Sequence, residues 1–165
     1  MLKALQRRDR RTGEGRQEEG FTLIELMVVV LIIAILIAIA IPTFLGARSR
    51  AQDRAAQSGL RNTLAAAKTI FTDTESYTSA NSTNLASSEP SLTYVASATA
   101  STDANTISVN PAATVFIAAA KSKSGTCFLL QDNTASGTTY AKLGSSSTCA
   151  ANATATFSST GWQGP

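Results

Sequence analysis

The sequence predicts an α+β protein, in which a long N-terminal α-helix packs part of its length on a small antiparallel β-sheet head. Three observations predict it. Residues 21–41, "FTLIELMVVVLIIAILIAIAI", are almost wholly aliphatic; residues 45–71 carry apolar side chains at helical spacing; residues 92–143 break into short apolar runs separated by Gly, Asn and Ser.

The apolar run comes first. From Phe21 to Ile41 a helix rises about 31 Å at about 1.5 Å per residue, which matches a hydrocarbon layer of about 30 Å. A buried core helix is one alternative, but a run with no polar stripe has no wet face to show in a protein of 165 residues. A secretory signal is another, with "FLGA" after Pro42 as a poor cleavage site; such signals have apolar stretches of about 7 to 15 residues, and this one is longer. The run contains one acid, Glu25. An ionised carboxylate is costly at membrane depth and is a functional candidate by default; lying only about 6 Å along the helix from Phe21, it sits near the interface, where a snorkelling glutamate is the blander reading. Pro42 lacks the N–H that a continuing helix needs, so a kink or local melting over residues 38–42 is expected.

The helical pattern continues past the proline. Leu45, Ala56, Leu60, Leu64, Ala67 and Phe71 form a stripe suited to packing on a head. Arg50, Arg54, Arg61 and Lys68 lie beside it, and Ala51, Ala55, Gly59, Asn62 and Ala66 make a small-residue face that permits close helix approach. One helix from Phe21 to about Phe71 would be about 75 Å long at 1.5 Å per residue. After "TDTESYTS", residues 79–105 read as a Ser/Thr/Asn loop with one strand, "LTYVA". "TISV", "TVFIAAAK", "CFLLQD" and "TYAKL" then read as strands of an antiparallel sheet. Trp162 either caps the core or sits exposed.

Composition narrows the chemistry. Of 14 basic and 11 acidic side chains, six (Lys3, Arg7, Arg8, Arg10, Arg11, Arg16) and four (Asp9, Glu14, Glu18, Glu19) lie in residues 1–20, leaving eight and seven downstream. The basic balance therefore belongs mainly to the leader and is poor support for nucleic-acid binding by the rest. Histidine is absent, so a Ser-His-Asp triad and a His-based metal site are excluded. Two cysteines, Cys127 and Cys149, fall short of the usual four zinc ligands; in a polar, loop-rich segment beyond a membrane helix they read as a disulfide in an oxidising compartment, with buried free thiols as the alternative. Arg48, Arg50, Arg54 and Arg61 after the run compete with the basic leader in setting orientation, and the cysteine pair breaks the tie in favour of an exported C-terminal part. "SKSG" at 122–125 could be drawn as a Ser-Lys dyad, but a polar hairpin turn explains it more simply. The sequons at Asn81 and Asn152 are read as unmodified.

The combination "GFTLIELMVVVLIIAILIAIAIP", preceded by a charged leader ending in glycine, resembles the N-terminus of bacterial type IV prepilins and the related pseudopilins. The motif covers roughly the first third of the chain. The resemblance implies a pilin fold, cleavage of the Gly20–Phe21 bond by a prepilin peptidase on the cytoplasmic side, and N-methylation of Phe21. It implies that Glu25 sets subunit register by finding a neighbour's terminal amine, that Pro42 kinks the helix, and that a Cys127–Cys149 disulfide encloses the C-terminal region. The regions would be a cleaved leader, 1–20; a transmembrane and filament-core helix, 21–42; an amphipathic half, 43–75; and a β-sheet head, 76–165.

The leading expectation is the major structural subunit of a type IV pilus, not an enzyme. It would be a single-pass cytoplasmic-membrane protein with its N-terminus in the cytoplasm, then part of a surface filament for adhesion, twitching motility or DNA uptake. The partners implied are further copies of itself, the peptidase, an assembly ATPase and a platform protein; no cofactor or metal is implied. DNA is a partner the arginine stripe could grip, although solvated or intersubunit ion-pairing arginines are the more usual outcome. A minor pilin or secretion pseudopilin shares the same N-terminus; major pseudopilins tend to carry an acid-rich, calcium-binding C-terminal loop, where this chain offers Asp132 and a cysteine pair. A membrane-anchored binding module or enzyme is the distant alternative.

Overall fold

A computed structural model describes residues 20–145 and 148–162. The leader, apart from Gly20, lies outside the described residues. The chain divides into two units, residues 1–41 and 42–165.

In the first unit, helix α1 (Leu23–Thr74) begins at Leu23, and its aliphatic side chains through Ile41 are all exposed. No face is set aside for a core. This follows from a sequence that is apolar all round, since burial of one stripe would still leave the others in water.

The second unit contains the remainder of α1, a 3₁₀ turn (Tyr77–Ser79), a short helix α2 (Ser82–Ser88) and, among the described residues, five strands: β1 (Thr93–Ala96), β2 (Thr106–Pro111), β3 (Val115–Lys121), β4 (Cys127–Asn133) and β5 (Gly137–Leu143). They form one sheet in sequential order. β2 to β5 pair antiparallel, as the alternating apolar runs predicted, with Lys121 opposite Cys127 and Asn133 opposite Gly137 across the tight turns. β1 departs from that expectation, because it pairs parallel to β2, with Thr93 opposite Thr106. The nine residues between them carry the chain back along the sheet, and the turn into β2 is held by Asp103 Oδ1, which accepts the N–H groups of Asn105 at 2.8 Å and Thr106 at 3.0 Å.

The sheet is covered on both faces. Toward α1, Ile107, Val109, Phe116, Ala118, Phe128 and Leu130 pack with Ala56, Leu60 and Ala67. On the other face Ala119, Leu129 and Ala141 pack with the Cys127–Cys149 pair, and Ala153, Ala155 and Phe157 lie over them. Two-sided burial explains why "FIAAA" and "CFLL" are nearly continuous apolar runs, since successive residues point to opposite faces and both faces are dry.

The amphipathic stripe of α1 is largely as expected: Ala56, Leu60 and Ala67 are buried, Leu64 and Phe71 partly so. Leu45 is exposed, because the sheet does not reach that far along the helix. Gly59, which the spacing placed on the small-residue face, is buried instead: a Cβ there would stand 2.9 Å from the backbone oxygen of Ala104. The glycine therefore sets how closely the helix approaches the loop before β2.

Residues 79–105 are also more ordered than a loop. Asn81 caps α2 by accepting the N–H groups of Thr83 and Asn84, each at 3.1 Å, and Leu85 enters the core. Trp162 joins the core on the α1 side of the sheet. Its indole N–H donates to the Leu129 carbonyl at 2.8 Å, and its ring meets Phe128 and Tyr140 edge-on. The strand-like pairing of Ser158 with Tyr140, two N–H to carbonyl bonds of 2.8 Å, fixes the segment that brings it there.

Candidate functional site

The N-terminal candidates lie together at the start of α1. Gly20 and Phe21 precede the helix, and Phe21 is 89% exposed. Thr22 is its N-cap. Thr22 Oγ1 accepts the N–H of Glu25 at 3.2 Å, while Glu25 Oε2 accepts the N–H of Thr22 at 2.8 Å and its hydroxyl at 2.7 Å. This is a reciprocal capping box, which places a carboxylate at the positive end of the helix dipole. The sequence carried the signal as T-x-x-E before an apolar run, and reading Glu25 only as an acid in oil overlooked it. In the single chain the acid has a partner in the residue three positions before it.

Beyond this cap, α1 is long and apolar enough to cross a membrane. Among the described residues its first part has no buried side chain, and an aliphatic surface of that extent is suited to cover by lipid or by other polypeptide. Pro42 lies inside α1, with helix on both sides.

In the second unit, Arg50, Arg54 and Arg61, spaced at helical repeats on α1, form one wall of an open groove of about 580 Å³. Lys142, Thr160, Tyr140 and Trp162 also line it. The Arg61 guanidinium lies over the Trp162 ring, 5.1 Å from its centroid. Asp53, the acid in this groove, accepts the hydroxyl of Ser124. The fourth member of the predicted basic stripe, Lys68, is engaged elsewhere: its ammonium lies 3.1 Å from Asp132 Oδ1.

Asp132 joins four segments. Besides Lys68 it accepts the Tyr77 hydroxyl at 2.6 Å and the hydroxyl of Thr138. Burial alone pushes its carboxyl up, but the hydroxyls of Thr138 and Tyr77 and the Lys68 ammonium outweigh that and hold it below the usual carboxylate range. The same geometry acts oppositely on Tyr77, whose hydroxyl is pushed up by burial and by the adjoining carboxylate.

Cys127 and Cys149 form a disulfide, with Cα atoms 5.4 Å apart. "SKSG" is a hairpin turn between β3 and β4: the Ser122 N–H donates to the Thr126 carbonyl at 2.8 Å, the Gly125 N–H to the Ser122 carbonyl at 2.9 Å, and Gly125 takes a φ of 96°. Ser122 Oγ accepts the Ser124 N–H, and Lys123 is exposed. Among the described residues no three His, Cys, Asp or Glu side chains come together as a metal site.

The long helix, its amphipathic part packed on a mostly antiparallel sheet, is a pilin-like α+β architecture. Residues 15–41 match the family model of the prokaryotic N-terminal methylation motif, the class III signal peptide of type IV pilins, which is consistent with the prepilin family. The motif supports a type IV pilin-like or pseudopilin protein, a structural subunit rather than an enzyme. No curated protein and no solved structure matches the chain.

Proposed function

We propose that this chain is the major structural subunit of a type IV pilus. The observation that carries the reading is that the methylation motif at residues 15–41 coincides with a helix whose apolar surface is exposed all round. Such a surface suits two environments in succession, lipid before assembly and a bundle of like helices after it.

In this reading prepilin peptidase removes residues 1–20 by cutting Gly20–Phe21 and methylates the amine of Phe21. Residues 21–42 anchor the subunit in the cytoplasmic membrane, N-terminus inward, and then enter the filament core; residues 43–75 and 76–165 supply the amphipathic half and the head. An assembly ATPase and a platform protein drive the transfer. On leaving the membrane Glu25 loses nearby water, and the Phe21 amine of an adjacent subunit neutralises it, which favours one axial register. Pro42, by weakening one helical bond, eases local unwinding as the rods pack. Adhesion, twitching motility or DNA uptake are the outcomes such a filament serves.

A minor pilin or a pseudopilin would carry the same N-terminus. Two features support the pilin: Asp132 is committed to Lys68, Tyr77 and Thr138, and the C-terminal segment is closed by a disulfide. Intact mass and N-terminal sequencing of the mature protein, with its abundance in sheared surface filaments, test the reading. Loss of residues 1–20, a methyl on Phe21 and dominance in the filament are expected. A trace share of the filament would make it a minor pilin, and recovery only as an unclipped membrane protein beside an active export machinery would overturn the proposal.

A further inference from the structure

The charged side chains lining the groove beside α1 are mainly cations. Arg50, Arg54, Arg61 and Lys142 face it, against the single carboxylate of Asp53, which is already hydrogen-bonded to Ser124. Arg50 and Arg54 are exposed and, among the described residues, have no ion-pair partner. A cationic groove of this kind calls for an anionic occupant.

The chain itself offers one at the far end of the same helix. Asp73 and Glu75 are exposed, and among the described residues neither makes an ion pair. They stand where the helix's own field is unfavourable to them, at the negative C-terminal end, with no basic residue in the last turn. Glu75 also has a φ of 54°, in a left-handed position that glycine or asparagine normally fills.

These two patches cannot meet within one molecule. Arg54 and Asp73 are nineteen residues apart on α1, roughly 29 Å along the axis and roughly 100° round it at 3.6 residues per turn. Two complementary patches displaced in this way on one rigid helix pair between copies, not within them. Where each copy uses its groove toward one neighbour and its acidic corner toward another, the contact is heterologous, and it extends into an open filament when the rotation between copies does not close.

We propose that the groove lined by Arg50, Arg54, Arg61 and Lys142 is an intersubunit socket that receives the Asp73–Glu75 corner of a second copy of this chain. The inference rests on the filament reading above and adds the residues that join one head region to the next. Arg50 and Arg54, without an ion-pair partner among the described residues, supply the attraction, and Arg61, held over Trp162, stiffens the wall behind them.

The test is charge reversal in the full-length protein expressed with its assembly machinery. Arg54→Glu alone, and the pair Asp73→Lys with Glu75→Lys alone, should each lower the yield of sheared filaments at least tenfold. Co-expressing the two variants should restore it severalfold, since each then meets its complement. An independent variant, Gln57→Cys with Thr72→Cys, leaves every charge in place and should give a ladder of multimers when filaments are treated with a bis-maleimide. Wild-type yield from both reversals overturns the inference while leaving the pilin reading intact, as does a wild-type cross-linking pattern from the cysteine variant. Loss of double-stranded DNA binding by Arg54→Glu filaments assembled in normal amount would assign the groove to nucleic acid and likewise overturn it. Wild-type protein that is never found in a filament defeats the underlying reading instead.

Discussion

Lys68 Nζ lies 3.1 Å from Asp132 Oδ1, yet the two partners are unequally placed, with the lysine side chain 51% exposed and the aspartate 6%. The carboxylate, not the ammonium, is therefore what the fold must satisfy. Tyr77, buried between Phe71 and Phe116, provides the better-shielded bond to it. Tyr77→Phe should cost about 1.5–3 kcal/mol, as for a hydrogen bond to a charged group. Lys68→Ala should cost less than about 1 kcal/mol, since its charge is largely solvated. Denaturant unfolding in detergent, followed through Trp162, the chain's single tryptophan, measures both.

The same network sets a pH dependence. Asp132 has a folded pKa below its ordinary value, so its stabilising contribution is complete above the unfolded value of about 4 and is lost as pH falls through the folded one. Tyr77 is shifted upward, so its contribution is complete below the unfolded value of about 10 and is lost as pH rises beyond it. Stability should therefore plateau between these limits, and Asp132→Asn should flatten the acid limb of a stability-versus-pH curve.

Gly59→Ala should destabilise. In an exposed helix interior this change stabilises by about 1 kcal/mol. Here the new methyl would stand 2.9 Å from a backbone oxygen, Ala104, which cannot swing away like the end of a side chain. Overpacking of that kind typically costs about 1–3 kcal/mol, so the sign reverses. Thermal unfolding distinguishes the two outcomes, and Ala55→Gly on the exposed face provides the comparison.

Removing the Cys127–Cys149 crosslink, which closes a separation of 22 residues, should cost about 3 kcal/mol in the chain-entropy model. The loss should concentrate on the face of the sheet opposite α1, where Ala153, Ala155 and Phe157 pack against the pair. Hydrogen exchange of β4 and β5 under reducing conditions should rise before that of β2.

Thr22→Ala and Glu25→Ala separate the two roles available to the acid. Both break the capping box, but only the second removes the charge. If the carboxylate serves a neighbour's amine, Thr22→Ala should still yield filaments while Glu25→Ala should lose most of them. Equal loss in both would assign the acid to capping alone. Electron microscopy of sheared material provides the measurement.

What was legible in the sequence was the placing of apolar residues. The amphipathic stripe announces itself by its repeat of 3.6 residues, and the apolar run and the five strands by apolar stretches set off by charged residues or turn formers. What was not legible depended on single polar atoms or on the path of the chain. The parallel pairing of β1 leaves no mark on "LTYVA"; α2 is too short for a stripe, and only Asn81 as its cap hinted at it. Asp132 read as a lone acid because its partners, Lys68, Tyr77 and Thr138, come from three separate segments. Gly59 fitted a small-residue pattern equally well from either side of the helix. Of the candidate site, Glu25 was visible by its incongruity, whereas its bonds to Thr22 required the geometry.

The capping box also fixes how far trimming can go before the rod begins to fray. Thr22 contributes through its backbone nitrogen, which donates to Glu25 as an ordinary amide. A cut ahead of Phe21 leaves that nitrogen inside a peptide bond and the lid of the helix undisturbed. One residue further along, the same nitrogen would become the chain terminus, charged and free to swing. In the proposed processing, a cut one residue late would exchange this amide for an ammonium beside the Glu25 carboxylate.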